Sequence, residues 1–174
     1  MKGRGRAIGL GSVAVAAVAA LVVFGFGPSK KSAAGRPAPE LPSEQLVGGV
    51  VTLPKLLASS GGRPSVVVFW ASWCGPCTTE APALQSFSQS PEGRGRIVGV
   101  DWSDARSSAL AFIRRFRWTF PTVRDGQGIV GNSYGMTGLP TTFVLSGSGK
   151  IAMTLRGPQT GPSLSRALHA AERL

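Results

Sequence analysis

At 174 residues, 43% of them hydrophobic, the chain has room for one domain with a sizeable core. Its formal net charge of +11 suggests nucleic acid as a partner, but six basic residues and no acid lie within residues 1–36, around an apolar segment. Basic residues placed there set membrane topology and the rest are scattered, which argues against a nucleic-acid-binding function. The one local cluster, Arg114, Arg115 and Arg117, reads as a solvated helix end rather than a phosphate grip, though it could still favour an acidic partner.

Residues 1–6 carry Lys2, Arg4 and Arg6, and Ala7 to Gly27 follows as twenty-one residues without charge. As a helix this stretch spans roughly 30 Å, the thickness of a bilayer core. The positive-inside rule puts residues 1–6 in the cytoplasm and everything after Gly27 outside, despite Lys30 and Lys31. The expectation is a single-pass anchor in the cell membrane. The alternative is a signal peptide cut near Ser32-Ala33-Ala34 to leave a secreted domain, although secretory apolar regions are usually about 7–15 residues long. By either route the domain reaches a compartment in which disulfides form. Pro28 to Pro42 is rich in Pro, Ser, Ala and Gly, and residues 28–45 read as a tether before a domain over 46–174.

Within that domain Val50-Val51-Thr52 is read as a short strand and Pro54 to Ala58 as a brief helix opened by proline. Ser59 to Pro64 is a Gly-rich turn. Val66 to Trp70 is a short apolar run of β-branched and aromatic residues, as in a buried strand. From about Cys74 to Ser88, Glu80, Ala81, Leu84 and Phe87 fall at helical spacing, with Pro82 expected to kink the helix. Ile97 to Val100 is a second apolar strand. A helix beginning at Ser103 to Arg106 should bury Ala109, Leu110, Phe112, Ile113 and Phe116. Asp101, Trp102 and Asp104 follow the strand and cap that helix, and two carboxylates alone imply no metal site.

Phe120-Pro121 begins a connection, and Gly131 to Tyr134 is a small turn or helix. Thr141 to Leu145 and Ile151 to Leu155 alternate like strands about the hairpin turn Gly147-Ser148-Gly149-Lys150. Ser163 to Arg173 closes the chain as an amphipathic helix, on which His169 is a surface or packing residue. The order predicts a layered α/β domain with a mixed central sheet flanked by helices.

Cys74 and Cys77 are the only cysteines in the chain, and they sit where a strand gives way to the first turn of a helix. Unpaired N–H groups and the positive end of the helix dipole favour a thiolate at Cys74, the attacking species in thiol–disulfide exchange. Pro76 suits the first turn because it has no N–H to lose. Cys77 faces the same side and can resolve a mixed disulfide on Cys74 from within. Zinc would need about four ligands, and the chain offers no other cysteine and only His169; a purely structural disulfide across so small a loop would stabilise little. Glu80 follows Cys77 by three and shares its face. Partly buried, it could take the proton from Cys77; otherwise it is an ordinary helix acid.

The stretch Phe69-Trp70-Ala71-Ser72-Trp73-Cys74-Gly75-Pro76-Cys77 resembles the motif of the thioredoxin superfamily. Cys77-Thr78-Thr79-Glu80-Ala81-Pro82 is similar to the CxxExP extension of membrane-anchored, extracytoplasmic members of the TlpA/ResA type. Tyr134 to Phe143 resembles their second signature, which carries a cis-proline loop. The resemblance runs from about Val50 to the C-terminus and implies a thioredoxin-like fold and a thiol–disulfide oxidoreductase. It needs no cofactor beyond the Cys74–Cys77 pair and no metal. It strengthens the proton-shuttle reading of Glu80, and it places Pro140, in a cis bond, against the cysteines; the alternative is a trans proline that opens an edge strand.

On that resemblance Trp73, Gly75, Pro76, Leu139 and Pro140 form the substrate-binding surface, with the Leu139 backbone pairing to an extended peptide. Trp70, Trp73, Tyr134 and Phe143 are either an apolar collar around it or core. Cytosolic thioredoxins usually carry a buried Asp six residues before the first cysteine; here that residue is Val68, which leaves Glu80 as the proton acceptor. Peroxiredoxins carry Thr three residues before the cysteine, where this chain has Ala71. The implied function is reduction of protein disulfides, including those of apocytochrome c, by a monomer fed from a membrane electron-relay donor. The alternatives are an oxidase that inserts disulfides and, in a different class, a docking module for an assembly partner.

Overall fold

Six consecutive buried residues, Ser65–Trp70, form the central strand of a six-stranded mixed sheet. The structure is a computed structural model and describes residues 35–174. The expected anchor over 7–27 and the first part of the tether lie outside the described residues. Among the described residues no helix is long and apolar enough to cross a membrane. In chain order the elements are β1 (Glu44–Val47), α1 (Leu53–Ser59), β2 (Ser65–Trp70) and α2 (Gly75–Gln89), then β3 (Ile97–Trp102), α3 (Arg106–Phe116) and β4 (Thr122–Asp125). The chain ends with α4 (Ile129–Tyr134), β5 (Thr141–Leu145), β6 (Ile151–Arg156) and α5 (Gly161–Ala171).

The strand order is β1-β4-β3-β2-β5-β6. β2, β3 and β4 run parallel through helical crossovers, while β1, β5 and β6 run antiparallel to their neighbours. Because side chains alternate along a strand, β2 serves both sides of the sheet. Val66, Val68 and Trp70 join Leu84, Phe87, Phe112, Ile113, Leu164 and Leu168 from α2, α3 and α5. Val67 and Phe69 join Leu53, Leu56, Tyr134 and Phe143 on the side covered by α1 and α4. Gly99 of β3 makes room for the large Trp70 ring: a Cβ there would stand 3.2 Å from the indole nitrogen and 3.0 Å from Thr122 Oγ1. Trp70 in turn packs on Phe112 and Trp118, with ring centroids 4.6 Å and 4.8 Å away.

Three details depart from the sequence reading. The strand expected at Val50–Thr52 lies earlier, at Glu44–Val47, and Thr52 instead caps α1 by accepting from Lys55 N–H. β4 was hidden in the connection after Pro121, since Thr-Val-Arg-Asp has too little apolar character to stand out; β1 on one side and β3 on the other make it a strand. Residues 37–43, tether-like in composition, pack on the domain: Pro37 bridges Lys150, Ala38 enters the core, and the Pro39 carbonyl accepts from the Tyr134 hydroxyl at 2.8 Å. α2 runs on through Pro82, where the missing N–H leaves the Thr78 carbonyl without its helical donor.

Candidate active site

β2 ends in the core, so the chain must turn sharply before α2. Ala71–Trp73 makes that turn, with Cys74 N–H donating to the Ala71 carbonyl at 3.2 Å. Cys74 is the N-cap residue of α2 and its Sγ accepts from Cys77 N–H at 3.2 Å. Pro76 lies in the first turn, and Cys77 comes back beneath Cys74, to which it is joined by a disulfide with S–S 2.05 Å. Both cysteines are nearly closed off, at 4% and 1% exposure, whereas Trp73 is 58% exposed and Gly75 and Pro76 are open to solvent. The sulfurs thus reach the surface only through a small rim made by the residues around them.

Glu80 stands one turn beyond Cys77 on the buried side of α2 and is 2% exposed. Its Oε2 accepts from Gln159 N–H at 2.8 Å, and its Oε1 is buried with no donor. Burial pushes the carboxyl up to about 7, against the smaller opposing pull of the Gln159 N–H. A buried group poised there can take or give a proton near neutrality.

Leu139–Pro140 is a cis peptide bond. Thr141, the next residue, pairs with Phe69 on β2, which brings the proline loop to the end of the sheet that carries the cysteines. Pro140 is buried and Leu139 half-buried. Gly157 N–H donates to the Pro140 carbonyl at 3.0 Å, so the short connection from β6 to α5 holds the proline loop through Gly157 and Glu80 through Gln159. Gln159 is itself braced, its side chain reaching the Gly157 carbonyl at 2.8 Å and accepting from Ser163 at 3.0 Å. Neither Gly157 nor Gln159 stood out in the sequence, because they act through backbone N–H groups, which any residue but proline supplies.

Of the four aromatic residues considered for a collar, Trp73 alone is at the surface. Its indole N–H donates to the Ser103 carbonyl at 3.1 Å and its ring lies 6.2 Å from that of Trp102. Trp70, Tyr134 and Phe143 are core. Val68 is fully buried among apolar neighbours and offers no proton acceptor. Asp104 does not cap α3 in the usual way: the N-cap of α3 is Ala105, and the Asp104 carboxylate accepts from Ser72 N–H and Ala105 N–H. Among the described residues no group of three His, Cys, Asp or Glu side chains is arranged to hold a metal ion.

Residues 34–154 match the profile of the AhpC/TSA family. The chain belongs to that family. Within it, the chain is 36% identical over 125 residues to a thiol:disulfide interchange protein DsbE homolog of Paracoccus denitrificans, covering 71% of this chain and 66% of the relative. It is 32% identical over 110 residues to the thiol-disulfide oxidoreductase ResA of Geobacillus thermodenitrificans, covering 63% of each. The chain therefore spans just under two thirds of the length of these relatives. Among solved structures it is similar to StoA of Bacillus subtilis, with 28% identity and a TM-score of 0.61, over 74% of this chain and 96% of that one. The α/β architecture is the thioredoxin-like fold, and ResA is a namesake of the type that the Cys77 to Pro82 extension resembles.

Proposed function

We propose that the chain is a membrane-tethered, extracytoplasmic thiol–disulfide oxidoreductase that reduces protein disulfides through Cys74 and Cys77. The observation that carries this reading is the paired cysteines at the head of α2 with a buried, under-partnered carboxyl one turn on. The relatives' names, which speak of thiol–disulfide interchange and oxidoreduction, support it.

In the reduced protein the Cys74 thiolate, favoured by the N–H groups of the first helical turn, attacks one sulfur of a substrate disulfide. A mixed disulfide forms and the other substrate sulfur leaves as a thiolate. Cys77 then gives its proton to Glu80 and attacks Cys74 Sγ. The Cys74–Cys77 disulfide forms, the substrate is released as a dithiol after taking up protons, and two electrons have passed to it. Burial of Cys77 keeps outside disulfides from reaching it, which reserves it for the internal attack. Trp73, Gly75, Pro76 and the Leu139 backbone beside Pro140 receive the substrate chain, by strand addition at Leu139. A membrane electron-relay donor, drawing on cytosolic thioredoxin, restores the dithiol; apocytochrome c is one substrate of the right chemistry.

The test is to express a Cys77→Ala variant in cells and identify what is trapped on Cys74. Trapped exported proteins and a membrane donor are the expected catch. A reduction potential of the Cys74–Cys77 couple close to that of strong periplasmic oxidants would instead make the protein an oxidase. Retained cellular function after loss of both cysteines would leave only a docking role.

A further inference from the structure

The turn that presents Cys74 is held from outside α2 at two points: the Trp73 indole reaches the Ser103 carbonyl, and the backbone N–H of Ser72 is held by the side chain of Asp104. Asp104 Oδ2 accepts from Ser72 N–H at 2.6 Å, two residues before the cysteine, and its Oδ1 accepts from Ala105 N–H at 2.7 Å. Both acceptors are committed, and Asp104 is buried. Its backbone is held too, since the Arg124 guanidinium donates to the Asp104 carbonyl at 2.7 Å and 3.2 Å.

Beside it stands a carboxyl with no such support. Asp101 is fully buried, and no N–H or O–H reaches either of its oxygens. Arg124 Nε, at 3.8 Å, is beyond hydrogen-bond distance. The register explains the position: Glu44 of β1, Arg124 of β4, Asp101 of β3 and Trp70 of β2 form one row across the sheet. Glu44 competes for Arg124, binding it at 3.0 Å and Arg106 of α3 at 3.2 Å. The charged groups facing Asp101 are thus Asp104 from the loop after β3, Arg124 from β4 and, behind it, Glu44 from β1 with Arg106 from α3. The neighbour on β2, Trp70, is neutral. An ionised carboxylate buried without a donor is costly. A proton removes that cost and turns Asp101 into a donor toward Asp104.

We propose that Asp101 and Asp104 work as a proton-sharing pair, in which Asp101 holds the proton and Asp104, kept in place by it, positions the Ser72–Cys74 turn for attack by Cys74. Burial foremost, then the neighbouring Asp104, pushes the Asp101 carboxyl up to about 8, and the pull of Arg124 only partly offsets this. Loss of the proton sets two like charges side by side and slackens the tether on Ser72. The pair touches no substrate; both are positioning residues. The proposal rests on the reading of Cys74 as the attacking thiol.

The test follows the rate of Cys74 alkylation against pH in the reduced protein, in a Cys77→Ala background, with NMR of isotope-labelled aspartate carboxyls in the intact chain. Three results are expected. One aspartate carboxyl titrates on the alkaline side of neutrality, and its signal is lost in Asp101→Asn, whose amide can still donate to Asp104. The alkylation profile shows an alkaline inflection that Asp101→Asn removes. Asp104→Asn, whose amide cannot accept from both N–H groups, slows alkylation about tenfold. If Asp104→Asn fails to fold, Asp101→Asn and the carboxyl titration still decide. Every aspartate titrating in the acid range, or an Asp101→Asn profile identical to the parent, would overturn the pair. Disulfide exchange surviving in Cys74→Ala would overturn the reading beneath it; a dead Cys74→Ala with an unchanged Asp101→Asn profile sinks the pair alone.

Discussion

Where β2 and β3 begin, Arg96 is buried at 2% exposure and each of its guanidinium nitrogens has a partner: the Pro64 carbonyl at 2.7 Å, the Glu92 carbonyl at 3.4 Å and Glu172 at 3.1 Å. Where the same strands finish, Glu80 and Asp101 are as deeply buried, yet three of their four carboxyl oxygens have no donor. At the first end a charge is fully engaged and stays charged. At the second, two acids are pushed up to about 7 and about 8. Full pairing makes a buried charge a strut, whereas short supply of donors leaves a buried acid holding its proton up to neutrality or beyond.

The sharpest way to break this contrast is to remove one group at each end. Cys74→Ala should leave the fold intact and lower disulfide reduction by about three orders of magnitude or more, measured by turnover of a peptide disulfide. Arg96→Met should do the reverse. It removes the donor of the Pro64 carbonyl and the partner of Glu172, at a cost of about 2–3 kcal/mol in denaturant unfolding, with turnover per folded molecule unchanged. A large rate loss in Arg96→Met would mean that the two ends are coupled.

Glu80→Gln keeps the shape and the Gln159 contact but has no carboxyl to take up or release a proton near neutrality. Resolution of the mixed disulfide should slow by about a hundredfold, and the inflection near 7 in the pH–rate profile should vanish. An unchanged profile would return Glu80 to the role of an ordinary helix acid.

The contrast also predicts how stability follows pH. The folded chain keeps protons on Glu80 and Asp101 that the unfolded chain loses near 4.5 and 3.8. Where the native state binds more protons, stability falls as pH rises. The contribution is whole below the unfolded values and is lost as pH climbs through about 7 and about 8. Asp101→Asn should flatten that decline by about 2 kcal/mol between mildly acid and mildly alkaline conditions, read from the unfolding midpoint.

The smallest effect is expected at the rim. Trp73 is 58% exposed, so Trp73→Ala should change stability by no more than about 0.5 kcal/mol. Its signature would be a raised KM for a protein disulfide with kcat little altered, which substrate titration would read.

Legibility in the sequence followed the range of the forces involved. β2, α2, the hairpin of β5 and β6 and α5 were readable because alternation, helical spacing and turn residues are local signals. Cys74, Cys77 and Glu80 share one helix, so their spacing placed them together before any fold was known. β1 and β4 escaped because a four-residue edge pair has hardly any pattern of its own and exists only through its neighbours. Asp101 and Asp104 were visible as acids after a strand, but their roles depend on Ser72, some thirty residues away in the chain.

By its sequence alone this chain determined its sheet-and-helix order, the paired cysteines at a helix head and the acid one turn beyond, because each is a matter of residue type at short spacing. Only the tertiary structure decided which acids lose their water and their donors, which backbone N–H group holds Glu80, which carboxylate holds the Ser72 N–H, and which aromatic ring stays at the surface. Burial and long-range hydrogen bonding depend on what the rest of the chain brings alongside, and no local pattern carries that information.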